Sequence, residues 1–216
     1  MEIIDFFNNP NVGLFFYITE KFCVIPTITP EKVRKILIKE LKVELIECNV
    51  YDTQVNNIFL VGNDEYLFVP EIVSPDEKKV LEKLGKKIIT LKTKLNALGN
   101  NMFFFKKYAV INPNFEEGAI KQLEDLGFKI IKTTIAGADT VGANIVLFND
   151  NALVNPDIKK EEVDVLEKIG LKITRGTVNR GNIVKSGVIH NKNGVIVSNS
   201  TMGPEMMVIE DLMNNG

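Results

Sequence analysis

Residues 99–131 read GNNMFFFKKYAVINPNFEEGAIKQLEDLGFKII. The opening Gly and Asn residues favour a turn, because both tolerate positive φ. Short apolar runs at 102–105 and 108–111 predict two strands, and the Lys-Lys pair between them predicts the connecting turn. Residues 116–126 carry apolar side chains at three-residue spacing, which predicts an amphipathic helix that a glycine ends. With a further strand over 128–131, the stretch predicts a β-β-α-β unit.

The same unit recurs along the chain at a nearly fixed period. A proline follows the second strand at Pro26, Pro70, Pro113 and Pro156, with spacings of 44, 43 and 43 residues, and the next step falls on Asn199. A fixed period of this size indicates a solenoid, a propeller or a closed ring. The predicted helices are Glu31–Leu41, Pro75–Leu84, Glu116–Leu126, Lys160–Ile169 and Gly203–Met213. We predict a single domain, 1–216, with five repeats at about 11–50, 51–93, 94–136, 137–179 and 180–216 plus 1–7.

The two ends of the chain complement each other. The fifth repeat ends with its helix and has no third strand after it, whereas Glu2–Asp5 resembles the third strand of repeat three at Lys129–Lys132. The N-terminal strand can therefore complete the last repeat, which closes a ring and removes exposed strand edges. A solenoid would instead need polar capping repeats. We predict a five-bladed α/β propeller, with strands near the axis and helices outside.

Composition restricts the function. Hydrophobic residues make up 45% and charged residues 25%, and the formal net charge is −2. A protein that holds nucleic acid mainly by phosphate contacts is usually basic, so we expect RNA contacts to be local or routed through a protein partner. No apolar run approaches the roughly 18 residues of a membrane span, and the acidic N-terminus is unlike a signal peptide, so we expect a cytoplasmic protein. Cys23 and Cys48 lack metal-site spacing, and we expect reduced thiols, no metal and no cofactor.

Most residues whose side chains could bind a ligand or catalyse a reaction have a simpler structural interpretation. Phe103–Phe105 could stack on bases, but equally apolar counterparts in other repeats favour a buried strand. His190 could be a general base, although a lone histidine at a strand end is more often structural. Met206 and Met207 are expected in the core. The carboxylates of helix 160–169 alternate with lysines, which is typical of a solvated face. The chain has no phosphate-binding P-loop and no GxSxG motif.

The polar turns before the first strands are the candidate binding surface. A glycine recurs there at Gly13, Gly99, Gly142 and Gly187, and repeat two has Asn56-Asn57 instead. Ring symmetry predicts that these turns share one rim, although they could equally be required only as turns. Arginine is scarce in this chain and is favoured in recognition. The candidate ribosome-binding residues are Asn11, Asn56, Asn100, Asn144, Asn179 and Arg180.

Three motifs resemble the archaeal translation initiation factor 6 family: LNALGN at 95–100, GTVNRG at 176–181 and GPE at 203–205. Departures lie at Asn56-Asn57 and 200–202. The resemblance implies the five-bladed pentein fold. It also implies a monomer that binds the large (50S) ribosomal subunit, prevents premature association with the small (30S) subunit and takes part in large-subunit maturation. Release would involve the Shwachman–Bodian–Diamond protein and an elongation-factor-2-type GTPase.

Two other functions share this fold. Guanidine-modifying penteins, such as deiminases, dimethylarginine hydrolases and amidinotransferases, resemble one another in using a nucleophilic cysteine late in the chain. An activated thiolate must attack the guanidinium carbon in that chemistry. This chain has no cysteine after Cys48. We therefore expect a protein that is not an enzyme, and a purely structural scaffold stays open.

Overall fold

The computed structural model describes residues 1–215, which form five three-stranded sheets. In each sheet the first strand pairs antiparallel with the second, and the second pairs parallel with the third. The strands are β1 (Glu2–Ile4), β2 (Tyr17–Ile18), β3 (Phe22–Ile25), β4 (Glu44–Glu47), β5 (Val61–Gly62), β6 (Tyr66–Pro70), β7 (Lys87–Leu91), β8 (Met102–Phe105), β9 (Tyr108–Ile111), β10 (Lys129–Lys132), β11 (Ile145–Phe148), β12 (Asn151–Val154), β13 (Lys172–Arg175), β14 (Val188–Asn191) and β15 (Gly194–Ser198).

A helix connects the second and third strands of blades one to four, and the last helix ends the described chain. The α-helices are α1 (Glu31–Leu41), α2 (Asn56–Phe59), α3 (Pro75–Leu81), α4 (Leu98–Asn101), α5 (Glu117–Asp125), α6 (Lys160–Lys168) and α7 (Gly203–Asn215). The short helices α2 and α4 are single turns that precede β5 and β8. At the same place the other blades have 3₁₀ turns: Val12–Leu14, Val141–Asn144 and Val184–Gly187. The predicted outer helices are confirmed. Within residues 1–215 no helix is long and apolar enough to cross a membrane.

The N-terminal strand closes the ring as predicted. β1 pairs in parallel with β15, so that Glu2 lies opposite Ile196 and Ile4 lies opposite Ser198. The amino group of Met1 lies 3.2 Å from Oε1 of Glu40 on helix α1. The fifth blade therefore takes its third strand from the start of the chain, and the predicted five-bladed α/β ring is confirmed.

The five turns that precede the first strands form an inner ring. Each turn contacts the next around the axis, and the fifth contacts the first. A Cβ on Gly99 would lie 2.2 Å from the carbonyl oxygen of Asn57, and one on Gly142 would lie 2.5 Å from the carbonyl oxygen of Gly99. Neither glycine has positive φ. Close approach between neighbouring turns requires these glycines, and the expectation of positive φ was wrong.

Repeat two meets the same constraint without a glycine. Asn57 occupies the position, and its Nδ2 donates to the carbonyl oxygen of Gly13 at 2.8 Å. Where the turns at Gly13, Gly99 and Gly142 touch a neighbour backbone to backbone, this one places a side-chain amide between the two turns. The asparagine therefore replaces close packing with a hydrogen bond.

The hydrophobic core is divided into five clusters that lie between blades. One cluster combines β6 residues of blade two, such as Phe68, with helix α5 of blade three, through Leu123. Another combines Phe103 and Phe105 of blade three with Leu166 on helix α6 of blade four. Each outer helix packs against its own sheet and the preceding one. Apolar surface is buried at every interface between blades, and its burial contributes about 25 cal/mol per Å² to stability. Each blade therefore depends on both of its neighbours.

Three local predictions were wrong. In repeats one and two the β-β-α-β pattern predicts first strands over 14–19 and 58–61. The first of these begins only at β2, and the second begins as the helical turn α2. Short apolar runs do not distinguish a strand from a helical turn, and the inner ring imposes the turn. Met207 is 71% exposed, whereas Met206 packs against the core of the fifth blade. The Phe103–Phe105 strand is buried as expected.

Candidate functional site

The inner turns surround the mouth of an axial cavity. Its volume is about 520 Å³, and most of its lining atoms are apolar. We call this end of the ring the turn rim and define it as the residues that line the cavity together with those between them in sequence, such as Arg180: 10–14, 57–58, 100, 140–143 and 178–186. Asn11, Asn100 and Asn179 all line the cavity, so the structure brings these three predicted residues together.

Asn11 and Asn100 present amides at this mouth. Both side chains are half-buried. Neither amide side chain hydrogen-bonds to another group within residues 1–215, whereas the backbone N–H of Asn11 donates to Oδ1 of Asn9. The two amides therefore have donors and acceptors available to a partner.

Asn56 and Asn144 are internal braces. Asn56 is fully buried, and its Nδ2 donates to the carbonyl oxygen of Cys48 at 2.8 Å. Asn144 is 3% exposed; its amide donates to the carbonyl oxygen of Thr140 and accepts from Nδ2 of Asn155 at 2.8 Å. Buried polar groups at the turns need partners, and these amides supply them. The prediction that Asn56 and Asn144 lie on the rim surface was wrong.

Repeat three has the same brace one residue after the predicted position. Asn101 donates to the carbonyl oxygen of Ala97, and its Oδ1 accepts from Nδ2 of Asn112 at 2.7 Å. Asn101, rather than Asn100, is therefore the counterpart of Asn144. A one-residue shift separates a buried amide from an accessible one.

Asn179 forms hydrogen bonds where the two ends of the chain meet and close the ring. Its Nδ2 donates to the carbonyl oxygen of Pro10 at 2.5 Å, which links the fifth blade to the N-terminal segment. Its Oδ1 accepts from the hydroxyls of Ser198 at 2.6 Å and Thr201 at 2.7 Å, both of them buried. Asn179 also has positive φ, a conformation that asparagine tolerates better than most residues. The amide is thus occupied internally.

Arg180 is the exposed member of the predicted set. One guanidinium nitrogen, Nη2, lies 3.1 Å from Sδ of Met202. Its backbone N–H donates to Glu205 at 2.9 Å, and the same carboxylate accepts from the Thr177 hydroxyl and the Met202 N–H. Burial alone would raise the pKa of Glu205, but the donated hydrogen bonds outweigh it and lower the pKa. The GTVNRG and GPE strings are therefore two halves of one contact.

Glu162 repeats this arrangement in the fourth blade. Its carboxylate accepts from the Thr134 hydroxyl, the backbone N–H groups of Ala136 and Gly137, each at 2.9 Å, and that of Lys159. The residue is 6% exposed. Burial would raise its pKa, and the four donors lower it overall. The predicted solvated face of helix 160–169 therefore does not include Glu162, which joins the helix start to the preceding turn.

Two cationic or titratable groups near the axis were not recognised as site residues. Nζ of Lys185 donates to the carbonyl oxygen of Gly99 at 2.7 Å, and burial lowers the pKa of this lysine to about 8. The ring of His190 stacks on Phe148 with centroids 4.3 Å apart, and burial lowers its pKa to about 4. No periodicity or motif in the sequence marks Lys185, because only the ring brings it to the axis.

The opposite end of the ring has a different character. We call it the hairpin rim, which comprises the turns 19–21, 63–65, 106–107, 149–150 and 191–193. Its exposed side chains are largely charged, and some pair across blades: Nζ of Lys106 lies 2.9 Å from Oδ1 of Asp150, and Nζ of Lys192 lies 3.8 Å from Oε2 of Glu20. Within residues 1–215 no group of three or more His, Cys, Asp or Glu side chains is placed to hold a metal ion.

Both cysteines are buried free thiols. Cys23 is fully buried, and burial raises the pKa of its thiol well above the usual value. Cys48 is 5% exposed, and burial, with a smaller effect of Glu77, raises its pKa to about 11. A reactive cysteine needs thiolate character and access, and neither residue has them.

Sequence comparison then identifies the family. The family model described as the eIF-6 family matches residues 1–212. The chain belongs to the eIF-6 family. Translation initiation factor 6 of Hyperthermus butylicus is 35% identical over 103 residues, which is 46% of each chain. Translation initiation factor 6 of Staphylothermus marinus is 29% identical over 150 residues, 64% of this chain and 66% of the relative. These alignments thus span about half to two thirds of the relatives.

Structure comparison finds the same fold in enzymes. An agmatine deiminase of C. jejuni superposes with a TM-score of 0.53 and 16% identity, covering 76% of this chain and 64% of the enzyme. SxtG, an amidinotransferase from Microseira wollei, gives a TM-score of 0.60 and 12% identity, covering 82% of this chain and 65% of the enzyme. At such low identity the likeness shows the pentein fold alone.

Proposed function

We propose that this eIF-6 family member binds the large ribosomal subunit, prevents premature association with the small subunit and takes part in large-subunit maturation. The family match over residues 1–212 carries the proposal, because it covers nearly the whole ring. The ring's geometry supports it: five interlocked blades present a broad, rigid end, which suits a protein that must cover another surface. From the family resemblance alone, we extend the proposal to a cytoplasmic monomer. Its release would involve the Shwachman–Bodian–Diamond protein and an elongation-factor-2-type GTPase.

The turn rim is the end that we assign to the ribosome. It presents the available amides of Asn11 and Asn100, the guanidinium of Arg180 and the side chain of Ile183, which is 54% exposed. Protein interfaces favour arginine and are depleted of lysine and acidic residues at their centres. The hairpin rim, with its exposed charges, fits that description less well and is the alternative end.

The overall charge predicts the salt dependence of binding. With a net charge of −2, the chain can neutralise few phosphates, so contacts with ribosomal protein should carry much of the affinity. We expect a fourfold rise in salt to weaken binding by much less than the roughly 10³-fold loss of a protein with many phosphate contacts. Filter binding to large subunits across a salt series measures this slope. A steep loss of binding with rising salt would indicate that contacts with rRNA phosphates carry most of the affinity.

We also propose that the chain is not a guanidine-modifying enzyme. Its two thiols are buried, and burial disfavours their thiolates. Within residues 1–215 no acidic side chain lines the axial cavity, and Lys185 borders it. A guanidinium substrate would therefore meet a cation and find no carboxylate. Citrulline formation from arginine or agmatine by the purified chain would overturn this proposal.

Cosedimentation with purified archaeal subunits tests the binding proposal. We expect the chain to migrate with large subunits and not with small ones. The double variant Asn100→Ala with Arg180→Ala should lose most of this binding with an unchanged thermal melt, because neither side chain is in the core. The matched control, Lys21→Ala with Lys107→Ala, removes two exposed side chains from the hairpin rim. Loss of binding in the control alone would assign the interface to the hairpin rim; no binding by the parent chain would overturn the proposal.

A further inference from the structure

Lys185 spans the interior of the ring. It lies in the 3₁₀ turn Val184–Gly187 of the fifth blade, yet its Nζ donates to Gly99 in the third blade, which is not a neighbour. The side chain borders the turn-rim cavity and a second axial chamber of about 320 Å³ that the inner strands line. Lys185 therefore borders both chambers, with its ammonium on the carbonyl oxygen of Gly99.

This ammonium has no counter-charge within residues 1–215. Among the described residues, no carboxylate lies within ion-pair distance of it and no acidic side chain lines either axial chamber. A lysine ammonium has three donors, and the Gly99 carbonyl accepts one of them. A half-buried cation without a nearby anion is unfavourable, so an anionic ligand in the cavity would gain from this ammonium.

The exposed surface that lines the turn-rim cavity is mostly apolar, although several amides also border it. Leu14, Ile58, Ala143 and Ile183 contribute to the lining, and apolar surface predominates over polar surface in the cavity. A volume of about 520 Å³ lies within the usual range of small-molecule sites. Bulk phosphate or sulfate would leave these walls without contacts. The lining therefore favours a ligand with one anionic end and an apolar body.

We propose that the turn-rim cavity is a binding site for a small organic monocarboxylate, with its carboxylate on Nζ of Lys185 and its apolar body against Leu14, Ile58 and Ile183. The amides of Asn11 and Asn100 at the mouth would border the outer end of such a ligand. A free acid and the C-terminal residue of a polypeptide present this same chemistry. The site does not depend on the proposed ribosome binding.

The site should respond to pH through Lys185. The other titratable side chains that line the two chambers are Tyr17 and His190. Burial raises the pKa of Tyr17 and lowers that of His190 to about 4, so both stay neutral between pH 6 and 9. The pKa of Lys185 is about 8, so it is mostly protonated at pH 7. Carboxylate binding should weaken as pH rises above 8, by up to about tenfold per pH unit.

Titration of the ¹⁵N-labelled chain with sodium hexanoate tests the proposal by NMR. We expect saturable shifts of the amide signals of Asn100, Ile183 and Lys185 at pH 7, and weaker binding at pH 9. Hexanol, which lacks the charge, should bind at least about tenfold more weakly. N-acetylleucine replaces hexanoate in a second arm. Tighter binding of N-acetylleucine would indicate a polypeptide C-terminus as the natural ligand, and tighter binding of hexanoate a free acid.

Lys185→Met should abolish the preference for hexanoate over hexanol. Lys86→Met is the matched control, because Lys86 is also a half-buried lysine that donates to a backbone carbonyl, that of Asn63, but lies away from the axial cavity. The control should bind hexanoate like the parent. The parent titration stays decisive should Lys185→Met fail to fold. Absence of saturable shifts in the parent, or unchanged hexanoate preference in a folded Lys185→Met variant, would overturn the proposal.

Discussion

His190, the chain's single histidine, is held neutral at the second axial chamber. Its folded-state pKa of about 4 lies below the value of about 6.5 that an unfolded chain would have. Between these values the unfolded state binds a proton that the folded state excludes. Stability is therefore lost as pH falls from about 6.5 towards 4, by about 3 kcal/mol at most.

Replacing this histidine should remove that pH dependence. Urea unfolding at pH 7 and pH 4.5 should show the parent chain losing about 2 kcal/mol more than His190→Phe over this interval. Phenylalanine keeps an aromatic ring against Phe148 without a titratable group. Carboxylates contribute equally to both chains and cancel in the comparison. Equal losses in the two chains would contradict the buried, neutral state of His190.

Asn179 should matter to stability more than to surface chemistry. Asn179→Ala removes the hydrogen bond to Pro10 and leaves the Ser198 and Thr201 hydroxyls without their shared acceptor. We expect a loss of about 2–4 kcal/mol in the free energy of unfolding. Asn182→Ala is the control: within the part of the chain that the structure describes, its exposed amide bonds only to Asp157, and we expect a change within about 0.5 kcal/mol. Comparable losses in both variants would contradict the bracing role.

At the scale of single residues, the sequence could identify which kinds of side chain lie in the turns, but not which of them are buried and which are accessible. Asn100 and Asn101 are adjacent and identical in type, yet one amide borders the cavity and the other is buried. Glu162 has the same surroundings in sequence as its solvated neighbours. Its role depends on four donors from the preceding inter-blade turn and the helix start, which the chain brings together only when neighbouring blades dock. Local patterns carry no information on such contacts.

At the scale of elements, the inner turns are where the blades approach most closely. Gly99→Ala would place a Cβ 2.2 Å from a backbone oxygen of the neighbouring turn, and we expect it to destabilise the ring by more than about 2 kcal/mol. Gly118→Ala is the matched control, because Gly118 lies in helix α5 with open space around it. This change should stabilise the chain by about 0.5–1 kcal/mol. Thermal and urea unfolding measure both, and effects of the same sign would contradict the inner-ring packing.

Helices and second strands were predictable because their signals are local. The amphipathic spacing of α5 and the proline after β9 define their elements without help from the rest of the chain. The first strands of repeats one and two were not predictable. Their apolar runs fit a strand, but the inner ring converts part of each run into a turn. Tertiary contact decides such short segments.

At the scale of the whole molecule, closure of the ring gives every blade two neighbours to pack against. Every outer helix packs against its own sheet and the one before it, and β1 carries this pattern across the chain ends. The period and the missing strand were sufficient to predict this architecture. The partner was not derivable from the ring, because pentein enzymes share it at 12–16% identity. The partner that we propose rests on what the family resemblance implies.

The central claim is that the turn rim occupies the large subunit and blocks subunit joining, and a light-scattering joining assay tests it most directly. Large subunits saturated with the chain are mixed with small subunits, and the fraction of joined ribosomes is measured. We predict a strong decrease in joining with the parent chain and with Lys21→Ala/Lys107→Ala. The Asn100→Ala/Arg180→Ala variant should restore joining at the same protein concentration. Normal joining by large subunits that sedimentation shows to be fully occupied by the parent chain would contradict the claim.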